Sequence, residues 1–406
     1  MKIVIAPDSF KESLSASQVA QSIARGILDV LPNAQLDLCP LADGGEGTID
    51  AICSAKSGVL HFSDVVSPLG AVVRAKFAIL ASGQQVETLP GDIGFARAKL
   101  SADQELEVCE SETKKIAVIE VAQACGLPLV KKSLRNPMRA TSYGVGQIIV
   151  DALNAGASEI IIGLGGTATA DGGAGALQAL GVKFYDHAGE LLGPAIGCEH
   201  LSMIDRIDIS EVDKRVFETD IQLACDVVNP LIGVDGTARV YSKQKGATPE
   251  MIEQIELGMQ NFADKIELLT GKKVANMPGS GAAGGIAAGF TGLIGAKIEN
   301  GAHLIASRAD LENRLHNADL CITGEGKLDS QTQMGKIPDW VAKLAKSQDI
   351  PTVCIAGQIA EDANTQCYRQ TISLVSSLTN LETALTKTAE LLREKGSDCI
   401  KDFIAS

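Results

Sequence analysis

Aromatic side chains are scarce in this chain of 406 residues: they make up 3%, with a single Trp. Stacking platforms for nucleic-acid bases are therefore not available in quantity. Positive charge is also short. Lys and Arg number 36 against 50 Asp and Glu, a formal net charge of −14, which argues against nucleic acid or an anionic membrane as a partner. No apolar run approaches membrane-spanning length. The opening Met1-Lys2-Ile3-Val4-Ile5-Ala6-Pro7-Asp8 is too short for a secretory leader, so a cytoplasmic location is expected. The ten Cys form no Cys-x-x-Cys pair, and the five His are not paired at metal-ligand spacing. Several Cys, such as Cys225, Cys321 and Cys354, sit in apolar runs. They read as reduced, buried thiols, not a disulfide framework or a zinc site. With so few His, no Ser/His/Asp triad or Cys/His pair is indicated. The phosphate loop G-x-x-x-x-G-K-[ST] and the protein-kinase motif set are absent as well.

Glycine, in contrast, is abundant at 41 residues, and hydrophobic residues reach 45%. The length suggests two or three domains with ample core. One phrase occurs twice: Ala42-Asp43-Gly44-Gly45-Glu46-Gly47 and Ala170-Asp171-Gly172-Gly173-Ala174-Gly175. Each follows an apolar, strand-like run and leads into a helical pattern. Glycines at such a junction let backbone N–H groups approach a ligand, and the helix start favours an anion. The adjacent aspartate can hold a metal, orient a hydroxyl or accept a proton. The plain structural alternative is a tight turn with a capping aspartate. Two copies in one chain favour chemistry, and a carboxylate in a phosphate-shaped loop is what metal-assisted phosphoryl transfer requires.

Periodicity predicts strands over 2–6, 35–41, 61–66, 72–80, 116–121, 159–164, 221–226, 319–323, 352–356 and 371–376. Helices are expected over 15–31, 46–55, 142–155, from about 173 to 180, and over 249–269, 338–346 and 381–403. Residues 89–112 are charged and irregular and carry no assignment. The opening βαβα order and the return of α/β alternation after about 295 indicate an α/β protein of two domains. A doubly wound, Rossmann-like domain is expected from residues 1–60 plus 290–406. A second α/β domain, 61–289, is inserted between its halves.

Further polar clusters stand at predicted strand ends, where ligands bind in open α/β sheets. In Pro7-Asp8-Ser9-Phe10-Lys11, Lys11 suits an anionic group and Asp8 a metal or a hydroxyl. In Cys225-Asp226-Val227-Val228-Asn229-Pro230-Leu231, Asp226 and Asn229 suit substrate hydroxyls, or simply form an Asx turn. Lys243-Gln244-Lys245-Gly246 offers two cations before a helix. The densest group is Thr323-Gly324-Glu325-Gly326-Lys327-Leu328-Asp329-Ser330-Gln331-Thr332, where two glycines flank a carboxylate, followed by a cation, a second carboxylate and hydroxyls. The match of Gly279–Gly284 to G-x-G-x-x-G lacks the strand before it and the acid after it. It reads as a flexible or phosphate-facing loop, not a dinucleotide fingerprint.

Taken together, these clusters resemble the bacterial glycerate kinase family, the type without the phosphate loop. The matching text runs from Lys2 to Leu14 and through the first Asp-Gly-Gly-Glu-Gly-Thr loop. It continues with Gly165-Gly166-Thr167-Ala168-Thr169-Ala170-Asp171-Gly172-Gly173, Ala224 to Leu231, Gln244-Lys245-Gly246-Ala247 and Ile322 to Asp329. The resemblance implies phosphorylation of D-glycerate by ATP with Mg²⁺, giving 2- or 3-phosphoglycerate, at a site in the cleft between two α/β domains. Asp171 or Asp226 is then the first choice for the carboxylate near the attacking hydroxyl. Asp43, Glu46, Glu325 and Asp329 compete for Mg²⁺ and substrate hydroxyls, with Asp43, Glu325 and Asp329 the metal candidates. Lys11, Lys245 and Lys327 neutralise the substrate carboxylate or the transferring phosphoryl group, joined by Arg139. Ser9 and the loop residues Gly44, Gly45, Gly47, Gly324 and Gly326 complete the binding set. Gly165, Gly166 and Gly172 supply backbone N–H groups, and Thr167 sits among them. A homodimer is left open. The competing reading is a non-catalytic, two-lobed sensor of a small hydroxy acid.

Overall fold

The structure is a computed structural model that describes residues 1–11, 13–56, 58–81, 114–377 and 379–405. The unassigned charged stretch 89–112 lies outside them. Thirteen strands are found among the described residues. They are β1 (Lys2–Ile5), β2 (Gln35–Leu38), β3 (Gly58–Val66), β4 (Val72–Ala81), β5 (Lys115–Glu120), β6 (Glu159–Gly163), β7 (Lys183–Tyr185), β8 (Arg206–Asp208), β9 (Asp220–Cys225), β10 (Lys297–Asn300), β11 (Leu320–Leu328), β12 (Thr352–Ile359) and β13 (Gln370–Ser373). The chain divides into two units: residues 1–43, 50–56 and 300–406, and residues 44–49 and 57–299.

In the first unit the strand order is β13-β12-β11-β1-β2, and every neighbouring pair is parallel. The sheet core is built from Ile3, Ile5, Ile322, Val353 and Ile355, all buried. The helix Ala16–Val30 lays Val19, Ile23 and Ile27 on it, a stripe at helical spacing that is fully buried. Ser15 and Gln18 form a capping box at its start: the Gln18 N–H donates to Ser15 Oγ at 3.3 Å, and the Ser15 N–H donates back to Gln18 Oε1 at 3.0 Å. The C-terminal helix Thr388–Ala405 crosses this helix at two glycines. A Cβ on Gly26 would lie 1.9 Å from the Arg393 carbonyl oxygen, and one on Gly396 would lie 2.6 Å from that of Ile23. The crossing is fastened by Ser397 Oγ donating to the Gly26 carbonyl at 2.8 Å and by the two-pronged Arg393–Asp29 pair.

In the second unit the order is β10-β9-β6-β5-β4-β3. β5, β6 and β9 are parallel, while β3 and β4 form the antiparallel hairpin turned at Pro68-Leu69-Gly70. All five residues of β6 are buried, which is why three successive isoleucines, Ile160 to Ile162, fill its middle. A separate two-stranded sheet joins β7 and β8. The helix Pro249–Thr270 is set by Thr248, whose hydroxyl accepts from the Met251 N–H, by Pro249 at its first position, and by Gly271 at its end. Most described cysteines are buried, and burial pushes the Cys39 and Cys125 thiols up to about 12.

The structure corrects several expectations. Residues 324–328, expected as a loop after a short strand, are the second half of β11. They continue the parallel register against β12 as far as Leu328 opposite Ile359. Gly324 permits this, because a Cβ there would lie 2.1 Å from the Ile355 carbonyl oxygen. The Gly279–Gly285 run is a packed element, not a flexible loop: the Gly172 N–H donates to the Gly284 carbonyl at 3.0 Å, and Ala288 N–H to that of Ser280 at 3.2 Å. The expected C-terminal helix breaks at Lys387 into Leu381–Thr386 and Thr388–Ala405. β7, β8 and β10 have only three or four residues and were not anticipated.

A Gly26→Ala substitution gains roughly 1 kcal/mol of helix propensity, yet it must push two backbones apart. The net expectation is a loss of about 1–3 kcal/mol, seen as a lower urea midpoint. An unchanged midpoint would show that the helix crossing yields freely.

Candidate active site

The strand order of the first unit reverses between β1 and β11. β2 lies on one side of that seam and β12 on the other. Crevices that take ligands form at the carboxyl ends of strands at such a reversal. Asp8 follows β1 there, its N–H donating to the Gly324 carbonyl at 2.8 Å. Residues 39–41 run on beyond β2, with the Cys39 and Leu41 N–H groups donating to the Ile5 and Pro7 carbonyls at 2.9 Å each. This brings Asp43 beside Asp8. Glu325 enters from β11.

These acids feel one another. The Asp8 carboxyl is 6% exposed and accepts the Ser9 N–H at 2.6 Å. Burial, and then the charge of Asp43, push its pKa up to about 7, against the opposing pull of the Ser9 N–H and Lys11. The Glu325 carboxyl accepts the Thr332 hydroxyl at 2.6 Å and is likewise raised to about 7, chiefly by burial. Lys336 and Lys11 oppose that shift, and Asp329 adds to it. Lys11 reaches Asp43 at 3.7 Å from a largely exposed position. Asp8, Lys11, Asp43 and Glu325 are thus gathered, with Ser9 half-buried among them and Gly326 in the strand beside Glu325.

Lys327 and Asp329 are placed differently. The exposed Lys327 ammonium lies 3.4 Å from Asp329. Asp329 caps the short helix Ser330–Met334: its carboxylate accepts the Gln331 N–H at 3.1 Å, and its own N–H donates to the Thr332 hydroxyl at 3.2 Å. One oxygen of this metal candidate is therefore engaged in folding the turn that delivers Thr332 to Glu325.

The second unit holds a second cluster. Asp171 is completely buried, and its carboxylate accepts four bonds: Ser142 N–H and hydroxyl at 2.7 Å each, Gly173 N–H at 3.2 Å and Gly175 N–H at 3.3 Å. Burial pushes its pKa up while these donors pull it down. So many donors in so closed a place suit a group that shapes the loop 165–175. Lys245 is 3% exposed and donates to Thr167 Oγ1 at 3.0 Å and the Thr169 carbonyl at 2.6 Å. Burial lowers its pKa to about 8. It too braces the glycine loop. Gly172 gives its N–H to Gly284, so that donor is already spent. Gly165 and Gly166 stand at the end of β6, Gly166 with φ +66°.

Asp226 is exposed at the end of β9. Asn229 donates to the Asp235 carbonyl at 2.8 Å and accepts the Tyr241 hydroxyl at 2.7 Å, which makes it a loop fastener. Arg139 is exposed in the turn begun by Asn136. Residues 44–47 belong to this unit, with Glu46 exposed and Gly44 and Gly47 at φ near +95°. Sequence reasoning missed Ser142 and Glu120, and held Thr332 only as one of the hydroxyls of its cluster. Ser142 left no signal, since its partner is set by packing. Glu120 did leave one: it is an acid at the end of the apolar strand β5.

The comparisons with known proteins agree with one another. The model of the glycerate kinase family matches residues 3–403. A glycerate kinase of Halalkalibacterium halodurans is 41% identical over 395 residues, 97% of this chain and 95% of that protein. A glycerate 2-kinase of Escherichia coli is 40% identical over 383 residues, 94% and 92% of the two chains. The crystal structure of a protein described as a glycerate kinase 2 from Salmonella typhimurium LT2 superposes with a TM-score of 0.82. It is 38% identical, and the match covers 100% of this chain and 98% of that one. Matched by the family model from residue 3 to residue 403 and by these relatives over most of its length, the chain belongs to the glycerate kinase family of enzymes.

Proposed function

We propose that the protein transfers the γ-phosphoryl group of ATP to the 2-hydroxyl of D-glycerate, giving 2-phosphoglycerate. The observation that carries this reading is the pair of buried carboxyls, Asp8 and Glu325, both raised to about 7 at the reversal of a parallel sheet. Acids crowded out of water in this way favour a cation that discharges them. A sensor of a carboxylate ligand would gather cations instead. The choice of the 2-hydroxyl follows the name of the Escherichia coli relative.

The residues fit Mg²⁺, which takes one or two carboxylates and completes its shell with phosphate oxygens and water. Asp8 and Asp43 repel each other at such a spot, with Glu325 near by and Lys11 at hand for a phosphate or carboxylate oxygen. When bound, the ion would neutralise charge on the phosphate oxygens. Asp329, fixed as a helix cap, is left to pair with Lys327. The exposed Asp226 is the acid that orients the attacking hydroxyl. Asp171 and Lys245 hold the loop 165–175 in shape, and the Gly165 and Gly166 N–H groups face substrate oxygens.

The direct test is ADP release from ATP and D-glycerate with Mg²⁺, and phosphorus NMR of the product. A single 2-phosphoglycerate resonance is expected, and Asp226→Asn should lower kcat about 100-fold or more. A 3-phosphoglycerate resonance would overturn the regiochemistry, and full activity in Asp226→Asn would overturn the role of that residue.

Protons compete with Mg²⁺ for Asp8 and Glu325. The apparent Mg²⁺ affinity should therefore fall as pH drops below about 7, the raised value of both groups. Titrations of activity with Mg²⁺ at pH 6 and 8 check this, and equal affinities would count against these two ligands.

Stability carries the same signature. A carboxyl raised in the folded state holds its proton more tightly there than when unfolded. Its contribution is full below about pH 4 and is lost as pH rises through about 7. Asp8→Asn removes the buried charge. The variant should be more stable than wild type by roughly 1–3 kcal/mol at pH 8, with the gap closing toward pH 5 and activity lost. Urea unfolding at the two pH values gives the answer; a wild type as stable as the variant or more so at both pH values would mean Asp8 is ionised and well paired.

A further inference from the structure

We propose that Glu120 is a positioning residue whose carboxylate holds the first aspartate–glycine loop, residues 44–49, in its working place. The proposal rests on the kinase reading above for its effect on rate, and on the geometry alone for the holding itself.

Glu120 closes β5 and is 2% exposed. One of its oxygens accepts two backbone N–H groups from the loop, Gly47 at 3.1 Å and Ile49 at 2.8 Å. The other accepts the Gln123 side-chain amide at 3.2 Å. The Ile49 N–H lies in the first turn of the helix Thr48–Ala55, where no intrahelical carbonyl can receive it. A carboxylate there satisfies an orphan donor and faces the positive end of the helix dipole. It is a cap delivered from 71 residues away. Gly47, at φ +95°, makes the sharp turn that aims its own N–H at the same oxygen.

The opposite flank of the loop is packed closely. A Cβ on Gly44 would lie 2.7 Å from the Ala224 carbonyl oxygen, and one on Gly163 would lie 2.5 Å from that of Gly44. A Cβ on Gly165 would come within 2.8 Å of Gly45 Cα. These approaches seat the loop over the ends of β6 and β9. Across the sheet, Glu120 ties it to the end of β5 with two hydrogen bonds. Burying a carboxylate is costly unless its oxygens are satisfied. The surrounding residues of β5, Ile116 to Ile119, show that an apolar side chain would suit the strand. The acid is explained by the loop it grips, which carries the exposed Glu46 and adjoins Asp43.

The test compares wild type with Glu120→Gln, Glu120→Ala and Gly396→Ala, the last a destabilised control in the helix crossing of the other unit. Glu120→Gln keeps an acceptor oxygen and should retain kcat/KM within about threefold. Glu120→Ala should lose about 100-fold, since misplacing a reacting group by an ångström costs that much. The loss should fall mainly on kcat. Hydrogen exchange at the Gly47 and Ile49 amides should quicken at least tenfold in Glu120→Ala and stay slow in Glu120→Gln. Undiminished kcat/KM in Glu120→Ala, or an equal loss in Gly396→Ala, would overturn the positioning role. Unchanged exchange at the two amides would overturn the holding itself. A wild type without glycerate turnover would overturn the kinase reading, and the exchange data would still decide whether Glu120 holds the loop.

Discussion

Ile3, Val4 and Ile5 run parallel to Leu320, Cys321 and Ile322, and the chemistry of the first unit depends on that seam. It joins segments so far apart that the Thr323 hydroxyl, donating to the Ala6 carbonyl, spans 317 positions. With β2 on one side and β12 on the other, the strand ends part at the seam, and Asp8 and Glu325 arrive there together. Their closeness is a product of sheet order. So is their burial, which raises both carboxyls toward neutrality. A segment that pairs so little backbone can bear this load because its side chains are fully buried on the sheet.

Where local and tertiary forces agree, the sequence spells out the structure. The helix Ala16–Val30 announces itself by its Ser15–Gln18 box and its Val19, Ile23 and Ile27 stripe. The helix Pro249–Thr270 does so by Thr248 and Pro249. Where they disagree, the packing decides. Residues 324–328 carry two glycines and two charges, a composition that signals a loop. Pairing against β12 makes them strand, since Gly324 lets the two backbones close. β7 and β8 are too short to display a period. Lys387 breaks the last helical pattern in a stretch of threonines, residues with weak helix preference.

The polar clusters were legible as clusters, because acids and glycines at strand ends are conspicuous. Their division of labour was not. Asp171 and Asp329 look alike in sequence to Asp8 and Asp43. Only the structure shows that Asp171 is enclosed by four donors and that Asp329 is taken up by a helix start. The same holds for Lys245, a cation by composition and a buried brace in place. Glu120 shows the opposite error. A lone acid after an apolar strand lacks glycine neighbours, so it attracts no notice, yet its partners lie far back along the chain.

The division of the first unit between the two ends of the chain has a consequence for biosynthesis. β1 and the helix Ala16–Val30 leave the ribosome first, but β11 and the helix Thr388–Ala405 that cover them are translated last. The second unit, nearly continuous over residues 57–299, has its whole complement of strands some hundred residues earlier. Nascent chains of this protein thus pass through a stage in which the middle is able to fold while the apolar beginning is still without its cover. Chaperones that bind short hydrophobic segments would find their natural target in residues 2–30, for as long as residues 300–406 are still being made.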